Sequence, residues 1–471
     1  MDVSSTTEDA RCPVDQPVGR SRSVIPASAL PAPKEPGLLQ TWRFIKYQTD
    51  WLEQVRERCG HRFRISLKPG PDMWVLSDPD EVKAMFMAPL DVLHTSTGNQ
   101  VANKFFGTTG LALVDEEEHV VRRKALMPSF KGTAYQRVEA AITDMAAQEI
   151  PTWPHDRVVS LHPIIHRFTM RVIREVIFGE VTPSCWDELL EELMGVVYIN
   201  NQWATYLMFD ELPDSVMWLL KKIKRTGIGT FLEHSARADE LLAQAVKERL
   251  ELGEFGDDML SMMLGIRNDD GSMLSGTELR DEIMTLFLAG TETTVSSLCW
   301  AMEYLSRDAD LVARMRARID SDDGDAYLTA AAYEVLRLRP PLPNIMPREV
   351  MKPIEIGGVL YEPGAVLWAS AHLVGNDQSH YDDPKAFRPE RFLGTKPDPL
   401  TFIPFGGGIT RCLGDRIAIH EIKTVLREVL NAYDLHRSDP TPERVHHHGV
   451  LVIPEYGARV ELRPRAMAPS P

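Results

Sequence analysis

No stretch of about 18 consecutive apolar residues occurs in this chain of 471 residues, which leaves no candidate for a membrane-spanning helix. The first residues lack the basic region and apolar core of a signal peptide, so we expect no membrane anchor and a cytoplasmic setting. Cysteine is scarce. Cys12, Cys59, Cys185, Cys299 and Cys412 are odd in number with no close pair, which argues against a disulfide framework or a zinc knuckle. Positive charge is also short: 52 Lys and Arg against 68 Asp and Glu give a net charge of −16, which repels phosphate backbones and anionic lipid surfaces. Nucleic acid is therefore not an expected partner. Internal repeats and low-complexity tracts are absent.

What the chain does have is an apolar fraction of 44%, ample for a core. The first 36 or so residues are rich in proline and small residues (Pro13, Pro17, Pro26, Pro31, Pro33, Pro36) and read as a mobile or surface-wrapping tail. Phe63, Ile65 and Leu67 alternate with polar neighbours, and the turn Lys68-Pro69-Gly70-Pro71-Asp72 leads into Met73–Leu76, which predicts a β-hairpin. Asp78-Pro79-Asp80-Glu81 predicts a capped short helix. Residues 120 to 335 carry an almost wholly helical pattern, and strands and Pro-rich loops return after Pro340. The expected fold class is mainly α with a small β region.

The most informative stretch is Phe405-Gly406-Gly407-Gly408-Ile409-Thr410-Arg411-Cys412-Leu413-Gly414, followed by an amphipathic helix from about residue 415 to 433. The glycines permit tight backbone conformations and close approach to a flat ligand, with Gly414 turning the chain into the helix. Cys412 sits at a helix N-terminus, where free N–H groups and the dipole favour a thiolate and predict a lowered pKa. A second long helix begins at a capping box, Ser275 with Glu278, and carries Leu279, Ile283, Leu286 and Phe287 on its apolar face. Near its centre lies Ala289-Gly290-Thr291-Glu292-Thr293-Thr294, a weak helical run in which a local bulge is expected.

The pattern Phe-x-x-Gly-x-x-x-Cys-x-Gly resembles the haem-binding loop of the cytochrome P-450 family. Three further signatures stand upstream in the family's order: the run around Thr293, the pair Glu334 and Arg337 followed by Phe387-Arg388-Pro389-Glu390-Arg391-Phe392, and His119 with Arg123 four residues on. The resemblance covers roughly residues 40 to 465. It implies a single cytochrome P-450 domain over 39–465, between tails at 1–38 and 466–471, built around haem b (iron protoporphyrin IX). Cys412 would be the axial iron ligand, with Phe405 beside the sulfur and Gly406, Gly414 and Ala289 against the haem. His119, Arg123 and Arg348 would hold the propionates. Relatives usually carry a basic residue where this chain has Thr410, so Thr410 is expected to make a weaker hydroxyl contact. Gly290 would open the oxygen groove, Thr293 would hydrogen-bond dioxygen, and Glu292 would feed protons from solvent. Glu334, Arg337 and Arg391 would form a buried structural cluster.

The implied reaction is monooxygenation, with the thiolate favouring O–O cleavage. By family topology the pocket draws on Phe105, Phe106, the Tyr198–Tyr206 stretch, Leu286, Ala289, Asn344, Ile345, Met346 and the segment around Val450. This apolar set with scattered amides and hydroxyls suits a medium or large neutral substrate such as a terpenoid, polyketide or peptide scaffold. Hydroxylation, epoxidation, desaturation and oxidative coupling share one oxidant and stay open. No flavin or nicotinamide module is evident, so electrons are expected from a separate ferredoxin and ferredoxin reductase, docking near Arg411, Arg416 and Lys423 on a monomer. A peroxygenase would not need both Glu292 and Thr293, and a non-catalytic haem protein is the remaining alternative. His446-His447-His448 is read as a strand hairpin beside the pocket before a metal site. Cys299 is read as an inert core thiol.

Overall fold

The computed structural model describes residues 24–98, 107–197, 218, 222, 228–267, 271–319, 321, 324–437, 439–448 and 450–465. The hairpin expected around the Pro69-Gly70 turn forms as β1 (Arg62–Ser66) and β2 (Asp72–Leu76), paired antiparallel with Phe63 opposite Val75. It is one edge of a five-stranded mixed sheet completed by β3 (Leu93–His94), β4 (Arg348–Val350) and β5 (Val366–Ala369), in the order β1-β2-β5-β4-β3. Alternation buries Phe63, Ile65 and Val75 against Phe44, Trp51 and Leu52 of helix α1 (Gly37–Cys59). The described part of the N-terminal segment runs along the β region: Ile25–Pro26 pairs parallel with Val359–Leu360, and the Trp74 indole donates to the Ala27 carbonyl at 3.0 Å.

The short helix α2 (Pro79–Phe86) is capped as the sequence requires, the Asp78 carboxylate accepting from the N–H groups of Asp80 and Glu81. The helical part includes α3 (Glu116–Leu126), α4 (Gly132–Glu149), α5 (His162–Phe178), α6 (Gly276–Leu305), α7 (Gly324–Leu338) and α8 (Asp415–Ala432). At the start of α6 both bonds of the capping box are made: Ser275 Oγ accepts from the Glu278 N–H at 3.2 Å, and Glu278 accepts from the Ser275 N–H at 2.8 Å. α6 is the axis of the main core, where Ile283, Phe287, Val295 and Leu298 pack with Phe168, Val172 and Ile177 of α5.

Two expectations are corrected here. α6 runs unbroken through its centre, because Thr285, Thr293, Thr294 and Ser297 return their hydroxyls to carbonyls four residues back instead of opening a bulge. Gly290 does not open a groove toward the ligand side: a Cβ there would stand 2.6 Å from Ile173 Cδ1, so the glycine is what lets α5 pack close.

Candidate active site

The cysteine loop is shaped by α2. A Cβ on Gly407 would lie 2.3 Å from Phe86 Cδ2 and one on Gly408 2.2 Å from the Phe86 carbonyl oxygen, so both glycines admit the end of that helix. Gly406 and Gly408 also take positive φ, +67° and +64°. The Cys412 N–H donates to the Phe405 carbonyl at 2.9 Å, closing the loop. Gly414 differs from its expected role. Its φ of −89° is open to any residue, and a Cβ there would meet nothing nearer than Phe130 Cε1 at 3.8 Å. Nothing among the described residues requires glycine at 414.

Cys412 is accessible, although protein surrounds it closely enough that burial pushes its thiol up. A bond from the Gly414 N–H and the charges of Arg411 and Arg123 pull the other way without prevailing. The expected lowered pKa is thus corrected: desolvation outweighs the helix N-terminus, and the thiolate requires a further cation such as a metal.

In α6 most side chains are buried. Leu286, Ala289 and Thr293 form an accessible stripe at helical spacing, with Ala289 exposed. Thr293 Oγ donates to the Ala289 carbonyl at 2.7 Å. Glu292 is turned off that stripe and buried against α5, its Oε1 2.5 Å from His166 Nε2. Glu292, expected to feed protons from solvent, therefore has no direct exposure of its own, since successive helical residues diverge by about 100°.

His119, Arg123, Arg348 and Thr410 do come together around the cysteine loop. α3 is fixed to α6 by Arg122, which pairs with Glu278 at 2.5 Å, and the turn before α3 by Glu282, which accepts from the Leu111 N–H at 2.7 Å. His119 is buried with its Nδ1 unpartnered, and burial followed by the charge of Arg123 pushes its pKa down to about 4. Arg348, also buried, donates to the Met85 carbonyl at 2.8 Å and to Thr410 Oγ at 2.6 Å, with its guanidinium over the Phe86 ring. Neither Arg123 nor Arg348 pairs with a carboxylate among the described residues, and burial draws Arg348 down to about 10. Two guanidinium groups and an unpartnered imidazole beside an accessible thiol match a flat ligand that bears both a metal and anionic groups. Arg411 is instead paired with Asp415 at 2.8 Å, its guanidinium over the Phe405 ring. Thr410 is more than a substitute contact, because it fixes Arg348.

Glu334 gathers the structural cluster. It receives Arg337 through two bonds of 2.8 Å, Arg391 at 3.1 Å and the Arg388 N–H at 2.8 Å, with Glu334 and Arg337 wholly buried. Among the pocket residues, Asn344 and Ile345 are buried, Leu286 and Met346 half-buried, and Val450 exposed. Phe105, Phe106 and the Tyr198–Tyr206 stretch lie outside the described residues. The histidine triplet forms the hairpin of β6 (Val445–His448) and β7 (Leu451–Pro454), where His447 is buried between two half-buried neighbours. No group of three or more potential metal ligands occurs among the described residues. Phe86 and His166 escaped the sequence reading; the His162-x-x-x-His166 spacing, one helical face, was the available signal for the latter.

The family model for cytochrome P450 matches residues 36–462. "Putative cytochrome P450 137" of Mycobacterium tuberculosis is 32% identical over 83% of this chain and 81% of its own length. "Putative cytochrome P450 135B1" of Mycobacterium bovis is 29% identical over 92% and 91%. A solved structure, "Retinoic acid bound cyanobacterial CYP120A1", superposes with a TM-score of 0.79 over 94% of this chain and all of that one, at 23% identity, and so shares the fold. The chain belongs to the cytochrome P450 family, monooxygenases that bind protoporphyrin IX haem through a cysteine thiolate.

Proposed function

We propose that Cys412 ligates the haem iron, that His119, Arg123 and Arg348 hold the propionates, and that the protein inserts one oxygen atom of dioxygen into a medium or large, mostly apolar molecule. The observation that carries this is an accessible thiol in a closely surrounded loop, beside cations that have no carboxylate partner among the described residues. Bound haem supplies the redox and oxygen-activating chemistry. The chain's own part is to neutralise the propionates, to keep Arg348 aimed through Thr410 and Met85, and to present Leu286, Ala289 and Ile345 as apolar wall. The Thr293 hydroxyl, resting on the Ala289 carbonyl, is the proton donor on the accessible stripe. Phe405, half-buried against Phe402, limits water at the sulfur side.

Electrons come from a separate ferredoxin and reductase in this reading. Of the basic residues proposed for docking, Arg411 is paired with Asp415, and Lys423 shares Asp325 with Arg427. Exposed Arg416, packed over Tyr135, is the cation left without a carboxylate partner among the described residues. The test is a panel of terpenoid, polyketide and peptide compounds screened for substrate-induced shifts of the haem absorption, followed by product mass spectrometry with a surrogate ferredoxin system. Oxygenated product from at least one apolar binder is expected. Turnover supported by peroxide alone and not by the ferredoxin system would overturn the electron-transfer part, and binders confined to small polar metabolites would overturn the substrate class.

A further inference from the structure

The face of α5 turned toward α6 carries an acid–base cluster that the family resemblance did not assign. His166 is wholly buried with Nε2 2.5 Å from Glu292 Oε1. One turn earlier, His162 is also buried, its ring centroid 6.0 Å from that of His166 and only 15° from parallel. His448, half-buried on β6, lies close enough to act electrostatically on both Glu292 and His162. Among the described residues the other titratable group facing Glu292 is Cys299, whose thiol burial holds well above its ordinary value and therefore protonated. The segment is tightly held: the Thr291 hydroxyl lies 3.3 Å from Met170 Sδ, and Gly290 seats Ile173. Glu292 thus adjoins Thr293 in sequence but meets imidazole, not open solvent.

We propose that His166 is a positioning residue that hands protons to Glu292, with His162 and half-buried His448 extending the route toward solvent. This rests on the reading that Glu292 and Thr293 deliver protons to the site. In each transfer the imidazolium N–H of His166 breaks and a carboxyl O–H of Glu292 forms, and the imidazole then regains a proton from the solvent side. Oxidation state does not change in either partner. Burial pushes the Glu292 carboxyl up, but the bond from His166, then its charge and those of His162 and His448, hold it below its ordinary value, so it is ionised at rest and passes on a proton received from His166 instead of retaining it.

The experiment compares wild type with His166→Gln, which can donate a hydrogen bond to Glu292 but cannot carry an added proton. Glu292→Gln and Thr293→Ala are run beside it. Product per reductant consumed is measured across pH, with hydrogen peroxide quantified. Loss of one proton carrier predicts a fall in coupling on the order of tenfold for His166→Gln, with a flattened pH profile and unchanged substrate affinity. Independently of turnover, infrared titration of the carboxylic acid C=O band that Glu292→Gln removes should show it at higher pH in His166→Gln, where burial acts without imidazole. Wild-type coupling and pH profile in His166→Gln, or an unmoved carboxyl band, would overturn the proposal. If Glu292→Gln and Thr293→Ala also couple normally, the underlying proton-delivery reading falls as well; if they uncouple while His166→Gln does not, only the role of His166 is lost.

Discussion

Glu421 shows how far burial alone can move a residue in this protein. It lies on α8, nine positions after Cys412, wholly buried toward Thr169 of α5, and burial pushes its carboxyl from the ordinary 4.5 to about 8 against a weak pull from Thr169. A carboxyl whose folded pKa is raised binds its proton more tightly when folded, so its contribution to stability is lost as pH rises from about 4.5 through about 8. Glu421→Gln should abolish that loss and raise the midpoint of thermal unfolding above pH 8, as followed by circular dichroism. An unchanged stability profile between about pH 5 and about pH 9 would contradict the burial argument. At this scale the sequence was legible where residue type and spacing bring groups together: His119 and Arg123 do lie beside the Cys412 loop. It was not legible where direction matters. Glu292 and Thr293 are neighbours in sequence but face α5 and the accessible stripe respectively, and only the packing of α5 decides which does which.

Among the elements, α7 and the turn Pro389–Phe392 are joined through one carboxylate. Glu334 is wholly buried and accepts from Arg337, Arg391 and the Arg388 N–H, while Arg337 also donates to the carbonyls of Gly375 and Pro384. Removing one partner leaves buried charge uncompensated, at a cost of about 3–5 kcal/mol. Glu334→Ala and Arg391→Ala should therefore lose stability on that order and purify with little haem, measured by denaturant titration and by the ratio of Soret to protein absorbance. Stable variants with full haem content would show that the cluster does not support the loop. The helices announced themselves through local signals: the Ser275 capping box, the Asp78 cap and the long period-3.6 runs. Val158–Ser160 did not, because three residues carry no pattern and its partner strand lies some 300 positions away at Arg459–Glu461. The expected bulge in α6 failed for a related reason: weak helix formers there are held by burial and by hydroxyl back-bonds.

Across the whole molecule, distant parts of the chain converge on the cysteine loop: α2 from the N-terminal region, α3 from the start of the helical part, β4 with Arg348, and α8 behind Cys412. No described helix is long and apolar enough to cross a membrane. The mainly helical fold with its small sheets was legible because four motifs in order specify one family, whereas the pocket was not, since its outer wall depends on how remote segments meet. The central claim is that Cys412 is the haem-iron ligand. Purified wild type and Cys412→Ser, each reconstituted with haem, reduced and exposed to carbon monoxide, test it directly: wild type should show the red-shifted Soret band of thiolate ligation and the variant should lack it, while the same band in both would contradict the account.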